Sequence, residues 1–273
     1  MAVLQALRRS GAALGRNPVV LAVAALLALA QVPQFAAQWL GPLVSAVVSL
    51  AFSVLLIVVL PFVQGGLVAM ADEALDGTTS LSTLVDAGKT NYVTLLGAYA
   101  LVLAVNLVLG FLLVIPLVFG LVGIFAIGSS AGLGVLAVIG GFVALVGLAY
   151  LVGYFFVQFY AHAIVLDDQG MVDGFRHSVG LVRGNLVPTA GYTLVLVVLG
   201  GLFGAVVGVG SVFVAPQPTM SGAEAAALPL PDLSTSVRIT IGVVMFAVTA
   251  LASGFFLVFS VAFYREIGGG SSS

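Results

Sequence analysis

The sequence contains no cysteine, a single lysine (Lys89) against seven arginines, and charged residues at only 7% of its 273 positions. The missing cysteine excludes disulfides, thiolate metal sites and cysteine nucleophiles together. The missing charge excludes more. A soluble domain carries charge at about a quarter of its positions, and a surface this poor in charge is not dispersed in water. With a net charge of −2 and eight basic residues in all, the chain lacks the basic face that binding nucleic acid requires. Neither a nucleophile elbow nor a phosphate-binding loop interrupts it.

What is present is apolar sequence: 62% of residues are hydrophobic and the mean hydropathy is +1.28. The apolar runs are far longer than the roughly ten residues of a barrel strand and do not alternate, so helices must satisfy the backbone within lipid. The expected fold is therefore all-α, a polytopic transmembrane bundle of about six spans with short interfacial amphipathic helices. A single integral membrane domain is expected over residues 1–267, with spans near 18–40, 42–70, 92–117, 133–166, 187–214 and 236–264. Residues 268–273 read as a flexible Gly/Ser tail.

Taken in order, the first sixteen residues place Leu4, Leu7 and Leu14 at near-helical spacing, with Arg8, Arg9 and Arg16 among polar or small positions. That pattern suits a helix lying along the membrane interface. A signal peptide is the rival, with Arg8-Arg9, an apolar run from Val19 and the small-residue site Ala28-Leu29-Ala30. Trp39 falls at the outer end of span one, the headgroup level that amphipathic aromatics favour. Gly41-Pro42 makes a turn, and Pro61 is expected to kink span two by removing a backbone donor. After the acidic cluster Asp72, Glu73 and Asp76, Ser80 is placed to cap a short helix carrying Leu81, Leu84 and Val85 on one face.

From residue 90 to residue 166 there is no Asp, Glu, Lys or Arg. This 77-residue tract holds two spans or three at about 20 residues each. Its clearest breaker is Gly128-Ser129-Ser130-Ala131-Gly132, and the 37 residues before it are too few for two spans and a turn. Two spans are expected, the first interrupted near Pro116 with a tilted or re-entrant remainder. In span five, Gly200, Gly204 and Gly208 recur every four residues, a small-residue stripe on which a partner helix is expected to pack. Residues 216–234, with four prolines among Ser, Thr and Ala, read as an external loop.

Six spans put both termini and both charged elbows on one side, with Arg8, Arg9, Arg16, Lys89, Arg176, Arg183 and Arg265 together and only Arg238 opposite. Basic residues near span ends are held inside, so the termini are expected in the cytoplasm of a multi-pass cell-membrane protein. The elbows at 70–91 and 160–185 resemble each other. A shift of 94 residues places Lys89 on Arg183, Asn91 on Asn185, Gly97 on Gly191 and Glu73 on Asp167. The order of elements recurs without inversion, the pattern of a parallel internal repeat.

In the second elbow Met171, Val172, Phe175, Val179 and Val182 share a helical face, with Asp173, Arg176, His177 and Arg183 elsewhere. Two readings follow. Lys89, Asn91, Arg176, Arg183 and Asn185 contact lipid headgroups or a partner, or the arginines only snorkel beside acidic neighbours. His162 near Asp167 and Asp168 matches no zinc spacing, so no metal is expected. No ionisable residue sits deep in a span, unlike ion-coupled pumps. Asn106 is the most central polar side chain, placed either for interhelical hydrogen bonding or for a solute path.

The acidic pair Asp167-Asp168 and the run SVGLVRGN (residues 178–185), together with GGLVAMADEAL (residues 65–75), resemble the membrane domain that accompanies some bacterial glycerophosphodiester phosphodiesterases. Related stand-alone six-span archaeal and bacterial membrane proteins are similar. The likeness covers about residues 65–191. It implies a six-helix bundle and carries over no catalytic residue, since in that family the chemistry belongs to a separate soluble barrel.

The expected function is accessory or scaffolding and non-enzymatic, with no cofactor. The expected partners are membrane lipids, a membrane protein or a second copy of the chain. A facilitator of a small uncharged or lipid-like solute is the alternative. A lipid enzyme using Asp167, Asp168 and His162 is the third reading.

Overall fold

The structure is a computed structural model that describes residues 2–30, 33, 41–127, 129–214 and 233–268. Trp39, Gly128, nearly all of the expected external loop and the tail beyond residue 268 lie outside the described residues. Among the described residues all regular structure is helical. The elements are α1 (Ala2–Arg16), α2 (Pro18–Leu29), α3 (Pro42–Asp76), α4 (Leu81–Ile127), α5 (Ser129–Val157), α6 (Tyr160–Leu166), α7 (Met171–Gly184), α8 (Leu186–Val214) and α9 (Thr235–Gly268).

Five of these segments are long and apolar enough to cross a membrane: α3, α4 to Gly120, α5 with α6 from Ala137 to Leu166, α8 and α9. The pair α1 and α2, bent by 88° at Asn17, makes a sixth if counted as one span. In the most apolar stretches of α3, α4, α5 and α8 no residue is buried, whereas 22% of the corresponding stretch of α9 is. Rows of exposed Val and Leu on four helices suit a hydrocarbon solvent. The chain is an α-helical multi-pass membrane protein.

Element limits differ from the sequence expectation in informative ways. Helices α3 and α4 run unbroken through Pro61 and Pro116, so neither proline ends its span. Spans tolerate proline where neighbouring groups replace the lost bond. The short helix expected after Ser80 and the third span are one helix, because α4 begins at Leu81 and continues past Lys89 and Asn91. In the second copy the chain instead breaks at Asn185, between α7 and α8. There Gly184 and Pro188 occupy the positions that Thr90 and Thr94 hold in the first copy. Glycine favours a helix end, and proline offers no N–H to the residue four before it.

The chain divides into two compact units, Met1–Lys89 with Asn185–Ser273, and Thr90–Gly184. The two boundaries follow Lys89 and Gly184, within one residue of the 94-residue shift that aligns the elbows.

In the first unit α9 is the common packing partner, touching α1, α2, α3 and α8. Its buried side includes Gly254, Val258, Phe259, Ala262, Phe263 and Ile267. The ring of Tyr192 on α8 stacks on Phe263 at 4.4 Å and lies 5.0 Å from Phe259, offset aromatic contacts that add to area burial. Two glycines let α3 and the first turns of α4 touch. A Cβ at Gly66 would lie 2.3 Å from the Leu84 carbonyl oxygen, and one at Gly88 would lie 2.8 Å from the Phe62 carbonyl oxygen.

The expected glycine stripe on α8 behaves differently. Among the described residues, nothing beyond the helix's own backbone lies within 4 Å of a Cβ built at Gly200, Gly204 or Gly208. Contact between α8 and α9 instead uses Gly210, whose Cβ would meet the Met245 sulfur at 2.4 Å.

In the second unit α4, α6 and α7 close on a cluster of Leu95, Ala98, Ala161 and Ile164, with Tyr160, Val165, Met171 and Phe175 against it. Tyr160 stacks on Phe175 at 4.7 Å. The buried face of α7 is Gly174, Ser178 and Val182, shifted from the expected one: Val172 is exposed and Val179 half-buried. Small residues win because α7 lies close on α6, where a Cβ at Gly174 would meet Ile164 at 2.8 Å. Ser178 also closes the break between α5 and α6. Its hydroxyl donates to the Phe156 carbonyl at 2.9 Å and accepts the Phe159 N–H at 3.1 Å, satisfying two backbone groups that lipid would leave open.

The two glycine classes predict opposite outcomes. Gly66→Ala forces backbone apart and lowers stability in detergent by about 1–3 kcal/mol, read as an earlier thermal transition. Gly204→Ala leaves the transition of the isolated chain in place or raises it.

Candidate functional site

The polar groups of the first unit gather where α1, α3 and α9 end. Asn17, buried at the 88° bend, does not cap α2 with its side chain. Its Nδ2 group instead donates to the carbonyls of Ala13 at 2.9 Å, Gly77 at 3.0 Å and Ala74 at 3.3 Å, two protons shared among three acceptors. Its Oδ1 accepts the Thr79 N–H at 2.9 Å. One side chain thus ties the end of α1 to the end of α3 and the loop after it. Glu73 then fixes that loop, accepting from Thr79 Oγ1 at 2.7 Å and Thr83 Oγ1 at 2.5 Å.

Ion pairs join the same ends. Arg265, half-buried on α9, donates through Nε to Asp72 and through Nη1 to Asp76 at 2.8 Å. Arg9 on α1 donates to Glu266 at 2.8 Å, with the Arg9 side chain 65% exposed. Arg16 points toward the Leu75 carbonyl at 3.5 Å, too long to hold much. Between α1 and the end of α9 opens a cavity of about 490 Å³ lined by Gln5, Arg8, Arg9, Arg265 and Glu266.

The second unit holds the other elbow. Asp168 adopts φ 51° between α6 and α7, a left-handed conformation that Asp tolerates better than most residues. The Gln169 N–H returns to the Ala163 carbonyl at 3.2 Å. His177 lies 3.4 Å from Asp167, and Arg176 lies 3.7 Å from Asp173. The Arg183 guanidinium sits 5.9 Å over the Phe156 ring, a cation–π distance. His162 is buried in α6 beside the Phe159 ring at 5.7 Å. Among the described residues no three His, Asp or Glu side chains converge as a metal would require.

Of the residues singled out from sequence, Lys89, Arg176 and Arg183 are exposed, and Asn91 and Asn185 half-buried. Arg176 and Arg183 lie about two turns apart on one flank of α7, and each already faces a partner on its own unit. Asn106 donates to the Val102 carbonyl at 2.8 Å and accepts from the Tyr150 hydroxyl at 3.1 Å, an interhelical hydrogen bond between α4 and α5. Sequence reasoning missed Asn17 and the ties of Arg265 and Arg9, which join residues 57 to 257 positions apart. One signal was available: α1 carries three arginines, and no acidic residue occurs before Asp72.

No curated protein and no solved structure matches the chain. One family model does, over residues 1–267, so the chain belongs to the DUF7847 family, a domain of unknown function.

Proposed function

We propose that this is a non-enzymatic accessory protein of the cell membrane that holds lipids or a membrane-protein partner at the cytoplasmic interface, with both termini cytoplasmic. The observation that carries the reading is the division of chemistry along the molecule. The spans are strongly apolar, while in the first unit ionised groups meet at the ends of α1, α3 and α9 around an open, arginine-lined cavity. Lys89, Arg176 and Arg183 add exposed cations at the elbows. A facilitator with a path past Asn106 is less well supported, because both ends of that amide are engaged by Val102 and Tyr150.

Co-purification from native membranes in a mild detergent tests the function. A stoichiometric protein partner or a defined set of bound lipids is expected. A chain that emerges with neither, while passing a small solute across liposome membranes, contradicts the reading.

Orientation is tested separately with single cysteines, since the chain has none of its own. Ser80 is exposed in the first elbow and suits labelling, whereas Ser178 is buried and does not. In intact cells an impermeant thiol reagent is expected to miss Ser80→Cys and to label Ser221→Cys; the reverse pattern would invert the topology.

A further inference from the structure

We propose that the cavity between α1 and the end of α9 binds a phosphate group, with Arg8, Arg9 and Gln5 as its contacts. The proposal rests on the interfacial reading above and names a ligand class and a site for it.

Of the three arginines that line the cavity, one is without an ion pair among the described residues. Arg265 is committed to Asp72 and Asp76, and Arg9 to Glu266. Arg8 is exposed and has no ion pair among the described residues. A lone guanidinium beside a partly used one recognises an oxyanion rather than a cation or a neutral solute. Arginine presents five donors in a planar fork, and Glu266 occupies only one edge of Arg9. The amide of Gln5, one turn before Arg9 on α1, adds a further donor to the lining.

The surroundings suit a ligand that is part polar and part apolar. Leu4 is 66% exposed and lies one helical turn from Arg8, so α1 offers an apolar contact beside the guanidinium. The bend of 88° sets α1 across the axis of α2, which suits a helix lying along the membrane interface, the level of headgroup phosphates. Two sources supply this chemistry: the phosphodiester of an anionic lipid, or free phosphate.

Native mass spectrometry of the full chain in detergent distinguishes them, with short-chain phosphatidylglycerol and inorganic phosphate as the probes. Arg8 touches no ion-pair partner, so Arg8→Gln is expected to keep the thermal transition of the parent while binding falls about tenfold or more. Glu266→Gln releases Arg9 and is expected to raise binding, a gain that misfolding cannot imitate. Retention of phosphatidylglycerol with this pattern supports the site and assigns it to lipid. The same pattern with inorganic phosphate alone supports the site and assigns it to the free anion. Equal retention of phosphatidylglycerol by the parent and Arg8→Gln overturns the site but leaves the interfacial reading standing. Retention of neither probe by the parent also overturns it, and the interfacial reading then depends on the native-membrane co-purification alone.

Discussion

A backbone amide or carbonyl inside a bilayer has no water to turn to, and each one left open costs several kcal/mol by order of magnitude. Most of this structure follows from that cost. It makes the spans helical, and it decides how the chain is allowed to break. At the break between α5 and α6 the freed groups of Phe156 and Phe159 are taken up by the Ser178 hydroxyl. At the bend between α1 and α2 the Asn17 amide serves Ala13, Ala74, Gly77 and Thr79. A helix end in a soluble protein would leave such groups to solvent. Here two buried polar side chains replace the solvent, and each fixes a neighbouring segment by doing so.

The same cost sends ionised groups to the ends of the helices, where they tie elements distant in sequence. Exposed ion pairs contribute little, about 0–1 kcal/mol each, so the pair between the exposed Arg9 and Glu266 orients α1 more than it stabilises it. Arg265 is half-buried and engages two carboxylates at once, a stronger tie between α9 and α3. What then distinguishes the α1 surface is Arg8, which has no ion pair among the described residues. This makes the cavity beside α9 chemically different from the elbow at α7, where Asp173 and Asp167 answer Arg176 and His177.

The fold class was legible because hydropathy is a property of runs. Long charge-free tracts specify helical spans whatever packs against them, and the charge-free stretch from 90 to 166, long enough for two spans or three, holds two. Packing was less legible. The regular glycine stripe at Gly200, Gly204 and Gly208 faces open space, while the isolated glycines Gly66, Gly88 and Gly174 carry the close approaches. Spacing shows which residues share a face, but only the partner helix decides which face is used. The elbow on α7 drew notice because its charges stand out locally. The α1 cavity did not, because it is assembled from residues near both ends of the chain, and Asn17 reads in sequence as an ordinary residue before Pro18.

The central claim is that side chains, not water, close the breaks in this bundle. Hydrogen exchange of the backbone amides of the full chain in lipid nanodiscs tests it most directly. The Thr79 and Phe159 amides are expected to exchange as slowly as those within the adjoining helices, and Asn17→Ala is expected to speed exchange at Thr79 without affecting Phe159. Fast exchange at both positions in the unaltered protein would contradict the account, since it would mean that water reaches the groups that Asn17 and Ser178 are held to satisfy.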